Sequence, residues 1–395
     1  MNEQDLRRQL LDHLTTNGSA RSPQWREAVA VTGRHEFLRG GFFRQVPGSA
    51  PTAWEPVMPG DEGWLSGCYS DVSLVTQIAG TIVPGEIHGR ILRQPTSSST
   101  LPSLVVRMLE GLEVEDGMRV LEIGTGTSYS TALLCHRLGD QHVTSIEIDP
   151  PVAVRAANAL ATLGHAPDLI TGDGLAGHKD SAPYDRIIAT CSVLAIPEQW
   201  IAQIRPGGQI LATLSGWMHS SELARLTVHD DGTATGRLLG GQVSFMLARP
   251  HQPPPLGMLP DLDAGTERDT TTGPDALDDW AARFRRAREG APGRAGGWAH
   301  RARGASAAGP GSTSGAPPRA RTWQGTRPKP DKDGLGVSLA SASRRRPLHG
   351  DRAPSARIAV GLYGSDGAPL VAGQVVAGMT GRQMTSGRTP RGRSA

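Results

Sequence analysis

The chain has 395 residues, which is enough for two ordinary domains with a sizeable buried core. The net charge of +3 is unevenly distributed along the chain. Residues 283–395 carry 19 Arg and 2 Lys against 4 Asp and 1 Glu, which is a net charge of +16. Residues 1–282 therefore carry a net charge of −13. The 3 cysteines are far apart and form no Cys-x-x-Cys pair, which excludes a disulfide framework and a zinc site and is typical of a reducing cytoplasm.

The first residues, MNEQDLRRQLLDHL, predict an amphipathic helix rather than a secretory signal, because they contain no apolar run. No stretch of 18 consecutive apolar residues occurs, so no membrane span is expected. His35 and His88 have no partners at metal-ligand spacing, and no metal site is predicted. We therefore expect a soluble, cytoplasmic protein without a resident metal ion.

Residues 1–95 are predicted to form short helices and loops that contribute to a substrate cleft. Residues 47–66 are rich in Pro and Gly and are typical of a loop. The stretch LPSLVVRMLEGL, residues 101–112, predicts a helix with one apolar face, since Pro102 is tolerated in a first turn.

Strands and helices alternate regularly after this helix. The strands are predicted at Arg119–Ile123, His142–Ile148, Asp168–Thr171, Arg186–Thr190 and Gln209–Leu214, with helices between them at Ser130–Arg137, Pro151–Leu163 and Glu198–Ile204. Strands that are almost continuously apolar require a sheet covered on both faces. The pattern predicts an α/β fold with a doubly wound, mostly parallel sheet over residues 96–250. Three further strand-like pieces, near Leu223–Val228, Thr235–Leu239 and Gln242–Ala248, are expected to add antiparallel strands at the sheet edge.

The composition changes after residue 250. Residues 251–282 have the composition of a linker, and residues 283–395 form a basic, low-complexity tail that is predicted to be largely disordered, with strand-like pieces only at RIAVGLYG and PLVAGQVVAG. Three interpretations of the tail stay open: an arm that holds acidic peptides, a solubilising extension, or an out-of-frame product of a GC-rich gene, which 38 Arg against 3 Lys would suit.

The stretch VLEIGTGTSYSTALL, residues 120–134, predicts a strand, a glycine turn and a helix that together approach a nucleotide cofactor. Tyr129 stands where the dinucleotide fingerprint requires glycine, which disfavours a pyrophosphate. Glu147 ends the second strand, 23 residues after Gly124, where a carboxylate can bind both ribose hydroxyls. This combination favours S-adenosylmethionine over NAD.

Further candidates follow the next two strands at the same edge of the sheet. Asp173 and Gly174 follow the third strand, on the adenine side, and Thr190 closes the fourth. The predicted cofactor-binding residues are Glu122, Gly124, Gly126, Glu147, Asp173, Gly174 and Thr190.

Over roughly residues 30 to 215 the chain resembles the protein-L-isoaspartate O-methyltransferase family. The matching stretches include RHEFL, CYSDVSL, SSSTLPSLVVRML, VLEIGTGTSYSTALL, VTSIEID, LITGDGLAG, APYDRIIATCSVLAIPEQW and RPGGQIL. The resemblance implies S-adenosylmethionine-dependent methylation of the carboxylate at abnormal aspartyl residues. The SSST run and YSDVSLVTQ are similar to a longer bacterial branch that is associated with ATP-grasp peptide maturases. That branch implies a precursor peptide and an ATP-grasp ligase as partners.

The resemblance places Thr100 at the position of the family's active-site serine, with Ser98 and Ser99 before it. We predict Thr100 as catalytic and Ser98, Ser99 and Asp71 as substrate-binding. Two structural alternatives stay open: the hydroxyl run caps the following helix, and Asp71 caps a turn. The chain departs from the family at Thr100, which adds a methyl group, and at Ser128, which replaces a glycine of the cofactor turn.

Other functions share this fold. The sequence disfavours a nucleic-acid methyltransferase, because TCSVLAIP after the fourth strand lacks the acceptor amide and stacking aromatic of such enzymes, and because the basic tail has few aromatic residues. A small-molecule methyltransferase and a binding protein with an inactive fold stay as alternatives. The sequence leaves open whether the substrate is a damaged protein or a dedicated precursor peptide, and it leaves the oligomeric state open.

Overall fold

The computed structural model describes residues 2–216, 221–240 and 243–252, and three strands within 336–342, 357–363 and 369–375. Helix α1 (Glu3–Thr16) begins at Asn2, whose side chain accepts a hydrogen bond from the Asp5 N–H, and buries Leu6, Leu10 and Leu14 as predicted. Helix α2 (Pro23–Val31) and a 3-10 turn (Arg34–Leu38) complete the N-terminal helical layer.

An antiparallel four-stranded sheet follows. Its strands are β1 (Phe42–Gln45), β2 (Trp54–Val57), β3 (Leu74–Ile78) and β4 (Pro95–Ser99), in the order β2-β1-β3-β4, with the short helix α3 (Trp64–Cys68) between β2 and β3. The prediction of helices and loops alone over residues 1–95 is therefore wrong. Strands of four or five residues separated by Pro and Gly are too short to show a clear alternation of apolar and polar side chains.

The larger sheet contains the predicted α/β alternation. Helix α4 (Pro102–Gly111) precedes it, and its elements are β5 (Val120–Ile123), α5 (Tyr129–Leu138), β6 (Val143–Glu147), α6 (Pro150–Thr162), β7 (Asp168–Thr171), β8 (Tyr184–Val193), α7 (Glu198–Gln203), β9 (Ile204–Ser215), β10 (Ser221–Val228) and β11 (Ala234–Leu238). The five strands in the order β9-β8-β5-β6-β7 are parallel, whereas β10 and β11 add antiparallel strands. The predicted doubly wound sheet is confirmed.

Of the last predicted strand of this region, Gln242–Ala248, the described residues 243–248 do not form a strand. The segment from Val243 instead crosses the end of β8 and makes a single parallel bridge, between Ser192 and Leu247. Strand β5 ends beside Ala189, so the edge of β8 beyond that point is free to receive one residue of another segment.

Three strands of the basic tail continue the sheet beyond β11. They are β12 (Gly336–Ala342), β13 (Arg357–Tyr363) and β14 (Pro369–Val375), and they pair antiparallel in sequence order. The latter two coincide with the strand-like pieces of the sequence, whereas β12 lies where disorder is predicted. The remainder of the predicted linker and disordered tail falls outside the described residues.

Two apolar clusters cover the faces of the sheet. One combines α1, α2, α4 and α5 with side chains such as Val120 and Ile188, and the other combines α7 with Leu121 and Ile187. Because both faces are covered, the carboxyl ends of the parallel strands are the open edge at which ligands bind. Within the described part of the chain, no helix is both long and apolar enough to cross a bilayer.

Candidate functional site

A cavity of about 590 Å³ lies at the carboxyl ends of the parallel strands. Its walls come from the loops after β5, β6 and β7, from β8 itself, from β4 and the start of α4, and from the segment that crosses β8. The predicted residues that line it are Ser98, Thr100, Gly124, Gly126, Glu147, Asp173, Gly174 and Thr190. Three predicted residues, Asp71, Ser99 and Glu122, do not line it.

The glycine turn after β5 approaches β8 closely. A Cβ atom on Gly124 would lie 2.8 Å from Thr190 Oγ1, and the φ angle of Gly124 is +93°, so that glycine is required on both counts. The Thr190 hydroxyl donates to the carbonyl oxygen of Ile123 at 3.1 Å and also contacts the carbonyl of Gly124. Thr190 therefore lines the cavity while its hydroxyl holds the turn in place.

Glu147 is held by backbone donors at the end of β6. One carboxylate oxygen accepts the Gly126 N–H at 2.9 Å and the other accepts the Asp149 N–H at 3.0 Å. The side chain is only 8% exposed, yet it lines the cavity. Its carboxylate is thus fixed in direction before any ligand arrives.

On the opposite wall, Asp173 and Gly174 follow β7. The Asp173 carboxylate accepts the Leu175 N–H at 2.9 Å, which fixes the tight turn. A Cβ atom on Gly174 would lie 2.5 Å from Ile123 Cγ2, so a larger residue would push this wall away from β5. Asp173 itself is exposed to the cavity mouth.

Glu122, predicted to contact the cofactor, lies beneath the turn. Its fully buried carboxylate accepts hydrogen bonds from the hydroxyls of Ser130, Thr131 and Ser145 at 2.5, 2.5 and 2.7 Å. Burial raises the pKa of this carboxyl group, and the three hydroxyl donors oppose the rise. Glu122 therefore supports the turn and helix α5 from below, and the prediction of direct contact is wrong.

Ser128, the departure from the family's glycine, begins α5 in the left-handed conformation with φ +69°. Such a conformation costs a non-glycine residue on the order of 1 kcal/mol. The Ser128 hydroxyl contacts the carbonyl oxygen of Ala156 at 3.2 Å, which ties the turn to α6. The chain thus keeps the turn geometry with a serine.

The hydroxyl run alternates between two faces, as β-strand residues do. Ser98 and Thr100 line the cavity, and neither hydroxyl makes a hydrogen bond to another described residue. Ser99 points the other way, is 1% exposed, and accepts a hydrogen bond from Arg34 Nε at 3.2 Å. The prediction that Ser99 binds substrate is therefore wrong, while Ser98 and Thr100 face the cavity as predicted.

Arg34 is a buried clamp behind this wall, and its role was not predicted from the sequence. Its guanidinium donates to the carbonyl oxygens of Cys68, Ser70, Val72, Ser99 and Thr100 at 2.9–3.2 Å. Burial lowers the pKa of this fully buried group to about 10. The group therefore stays charged at neutral pH and fixes the backbone of Thr100.

Asp71 caps helix α4 and does not reach the cavity. Its carboxylate accepts the Ser103 N–H at 2.8 Å and contacts His13 Nε2 at 3.3 Å. Leu101 occupies the N-cap position without a side-chain bond, so the hydroxyl run does not cap the helix either. The substrate-binding prediction for Asp71 is wrong, and the capping alternative is confirmed for this residue.

A polar cluster at the edge of the cavity was not predicted from the sequence. Arg249 forms an ion pair with Asp149 at 2.6 Å and donates to Gln77 Oε1 at 3.3 Å, and Gln77 in turn donates to Asp149 at 3.2 Å. Arg249 lies 100 residues from Asp149 in the chain. No local pattern could have indicated such a pairing.

A group of possible metal ligands lies elsewhere. Within the described ranges, the side chains of Cys135, Asp140 and His165 come together, and none of them lines the cavity. Asp140 accepts hydrogen bonds from the Ala166 N–H at 2.7 Å and contacts His165 Nδ1 at 2.9 Å. Burial raises the pKa of the Cys135 thiol, and the neighbouring Asp140 carboxylate adds to the rise.

Comparisons with known proteins agree with this geometry. Residues 86–246 match the family described as Protein-L-isoaspartate(D-aspartate) O-methyltransferase (PCMT). A protein-L-isoaspartate O-methyltransferase of Anaeromyxobacter dehalogenans is 42% identical over 127 residues, which are 32% of this chain and 59% of that protein. Protein-L-isoaspartate O-methyltransferase 2 of Polaromonas sp. is 32% identical over 151 residues, which are 38% of this chain and 67% of that protein.

A solved structure of a protein-L-isoaspartate O-methyltransferase is 26% identical in sequence to this chain and superimposes with a TM-score of 0.48. The match covers 61% of this chain and 65% of the chain in that structure. The chain spans roughly three fifths to two thirds of the length of the two curated relatives. On the sequence match, the chain belongs to the protein-L-isoaspartate(D-aspartate) O-methyltransferase family of S-adenosylmethionine-dependent methyltransferases.

Proposed function

We propose that this chain transfers a methyl group from S-adenosylmethionine to the carboxylate of aspartyl or isoaspartyl residues in proteins or peptides. The observation that carries the proposal is the composition of one cavity. The cofactor-type residues Gly124, Gly126 and Glu147 share it with the unengaged hydroxyls of Ser98 and Thr100. A carboxylate acceptor and a nucleoside cofactor thus have binding groups within reach of each other.

The cavity residues fit S-adenosylmethionine. A carboxylate held by two backbone donors, Glu147, suits the two ribose hydroxyls, and the glycine turn leaves the space that a Cβ atom would fill. Asp173 and Gly174 stand where the family holds the adenine amino group. The apolar lining, which includes Leu104 and Phe245, suits a base and an alkyl chain. When bound, the cofactor would supply an electrophilic methyl group on a sulfonium.

The chain's own residues have a limited chemical task. A carboxylate with a pKa near 4 is already ionised at neutral pH, so the acceptor requires no general base. The hydroxyls of Ser98 and Thr100 would donate hydrogen bonds that orient the carboxylate, and the apolar walls would exclude water from it. Cys191 also lines the cavity, but burial raises the pKa of its thiol to about 12, so it is protonated and no nucleophile.

A second candidate substrate is a dedicated precursor peptide processed together with an ATP-grasp ligase. It is favoured by the SSST run and YSDVSLVTQ, which are similar to the longer bacterial branch associated with ATP-grasp peptide maturases. A ribosomally made peptide with Asp residues would be the acceptor.

Labelled S-adenosylmethionine tests the function directly. The full chain would be incubated with an isoaspartyl peptide and with the same peptide containing ordinary aspartate. Base-labile label on the isoaspartyl peptide alone is the expected result for repair-type specificity. Label on neither peptide, with S-adenosylhomocysteine still bound in calorimetry, would overturn the repair-type substrate and favour the dedicated peptide. Absence of cofactor binding would overturn the methyltransferase proposal itself.

A further inference from the structure

The segment Val243–Gln252, here called the strap, forms one wall of the cavity. Its residues 244–250 line the cavity, and it attaches to the end of β8 through Ser192. The Ser192 N–H donates to Met246 at 2.9 Å, its carbonyl accepts from the Ala248 N–H at 2.8 Å, and its hydroxyl donates to Phe245 at 2.9 Å. These three bonds hold the middle of the strap against the sheet.

Arg249 attaches the strap to the opposite side of the cavity. Its guanidinium pairs with Asp149 at 2.6 Å and reaches Gln77 Oε1 at 3.3 Å. The Asp149 side chain is only 5% exposed and that of Arg249 is 33% exposed. The pair thus bridges the strap, the loop after β6 and strand β3, which are far apart in sequence.

Asp149 also lies next to the ribose-type carboxylate. Its N–H donates to Glu147 Oε1 at 3.0 Å, and its own carboxylate accepts the Val152 N–H at 3.2 Å at the start of α6. Burial alone would raise the pKa of Asp149, but the hydrogen bonds from Arg249, Val152 and Gln77 lower it below its usual value. Two buried carboxylates therefore stand two residues apart, and Arg249 forms an ion pair with one of them, Asp149.

Removal of the Arg249 charge would have two physical consequences. Asp149 would become an uncompensated buried anion beside Glu147, which is strongly unfavourable. The C-terminal half of the strap would also lose its connection across the cavity. Both effects act on the site where the ribose is held, not on the hydroxyls that face the acceptor.

We propose that Arg249 is a positioning residue that latches the strap over the cofactor and keeps the Glu147 carboxylate in its binding direction. The proposal rests on the proposed function in one respect, that the cavity binds S-adenosylmethionine. It assigns Arg249 to cofactor retention and leaves the acceptor undefined.

The test uses the full chain and S-adenosylhomocysteine, so that no acceptor is needed. Calorimetry would compare the dissociation constants of the wild type, Arg249→Gln and Arg249→Lys. The matched control is Arg237→Gln, since Arg237 is an exposed arginine on β11 outside the cavity wall. We expect Arg249→Gln to weaken binding at least ~tenfold and Arg249→Lys to stay within about threefold of the wild type, because lysine keeps the charge but loses the second hydrogen bond. The control should not change the dissociation constant.

Hydrogen exchange of the strap amides supplies a second readout that needs no ligand. The Ala248 N–H and its neighbours should exchange faster in Arg249→Gln than in the wild type, with the exchange of β5 and β6 unchanged. Wild-type affinity and wild-type strap exchange in Arg249→Gln would overturn the latch and leave the proposed function intact. Failure of the wild type to bind S-adenosylhomocysteine would overturn the proposed function, and the positioning role with it.

Discussion

Thr100 is the residue on which the proposed chemistry depends most directly. Its backbone carbonyl is held by Arg34 at 3.1 Å, and its side chain lines the cavity with no hydroxyl partner among the described residues. The position is therefore rigid in its backbone while its hydroxyl is available. This combination suits a group that orients a carboxylate in the transition state.

Replacement of Thr100 by valine keeps the shape and removes the hydroxyl. A hydrogen bond to a charged acceptor contributes about 1.5–3 kcal/mol, so we expect kcat to fall roughly ten- to a hundredfold. The KM for S-adenosylmethionine should change less than about twofold, because the hydroxyl faces the acceptor. Thr100→Ser is the matched control and should retain the rate. Initial rates of methyl transfer measure both variants, and full activity of Thr100→Val would exclude the orienting role.

Glu122 offers a second test at the residue scale, because it supports the cofactor turn without touching the cavity. Glu122→Ala would leave the three hydroxyls of Ser130, Thr131 and Ser145 without their buried acceptor. We expect the free energy of unfolding to fall by about 2–4 kcal/mol and cofactor affinity to fall with it. Glu122→Gln should cost less, since an amide fills the same space. Urea unfolding measures the effect, and equal stability of Glu122→Ala and wild type would contradict it.

The predicted residues that line the cavity differ in a physical way from the predicted residues that do not. Gly124, Glu147 and Asp173 follow strands whose carboxyl ends must meet, so their convergence follows from topology alone. Ser99 is adjacent to Thr100 in the sequence, but the pleat of the strand turns its side chain away from the cavity. Asp71 binds the start of α4 instead of the cavity. Spacing along a chain reports proximity better than it reports the direction of a side chain.

At the scale of elements, the strap depends on a histidine at its end. His251 Nδ1 accepts the Leu194 N–H at 3.3 Å, which requires that this nitrogen carry no proton. Burial lowers the pKa of His251 below its ordinary 6.5, and the nearby Asp173 carboxylate opposes that shift. The folded protein therefore favours neutral His251.

This preference predicts the direction of a pH effect. Below pH 6.5 His251 takes up a proton in the unfolded chain, whereas in the folded protein it takes up this proton only at a lower pH. The contribution of neutral His251 to the free energy of unfolding is therefore complete above pH 6.5, and it is lost as the pH falls toward the folded pKa. We expect the wild type to lose more stability than His251→Asn between about pH 7 and 5, because asparagine keeps an acceptor near Nδ1 and does not titrate. Thermal unfolding at each pH measures the difference. Parallel curves for the two proteins would refute the role of His251.

The strap and the four-stranded sheet also mark the limit of prediction for elements. The parallel strands were predictable because their apolar runs alternate with helices, of which α5, α6 and α7 follow β5, β6 and β8. The strap has the apolar residues of a strand, and its sequence does not reveal that β5 ends early and leaves room for a single bridge on β8. Only the assembled sheet contains that information.

At the scale of the whole molecule, the described residues that line the cavity all lie between Trp54 and Pro250. Removal of residues 253–395 should therefore leave the dissociation constant for S-adenosylhomocysteine within about threefold of the full chain. The same deletion would turn β11 into an edge strand, since β12 pairs with it along four residues. We expect more self-association as a result, which sedimentation would detect. Loss of cofactor binding in the shortened chain would contradict this division of the molecule.

The hydrogen bonds of the Arg34 clamp determine how the cavity wall around Thr100 unfolds. Its carbonyl acceptors come from residues 68–72 and 99–100, so one guanidinium closes contacts between segments 34 to 66 residues apart in the chain. Fraying of any one segment would leave a buried cation short of acceptors. The segments should therefore unfold together, as one cooperative unit, and a peptide substrate would meet this wall as a rigid surface instead of ordering it on arrival.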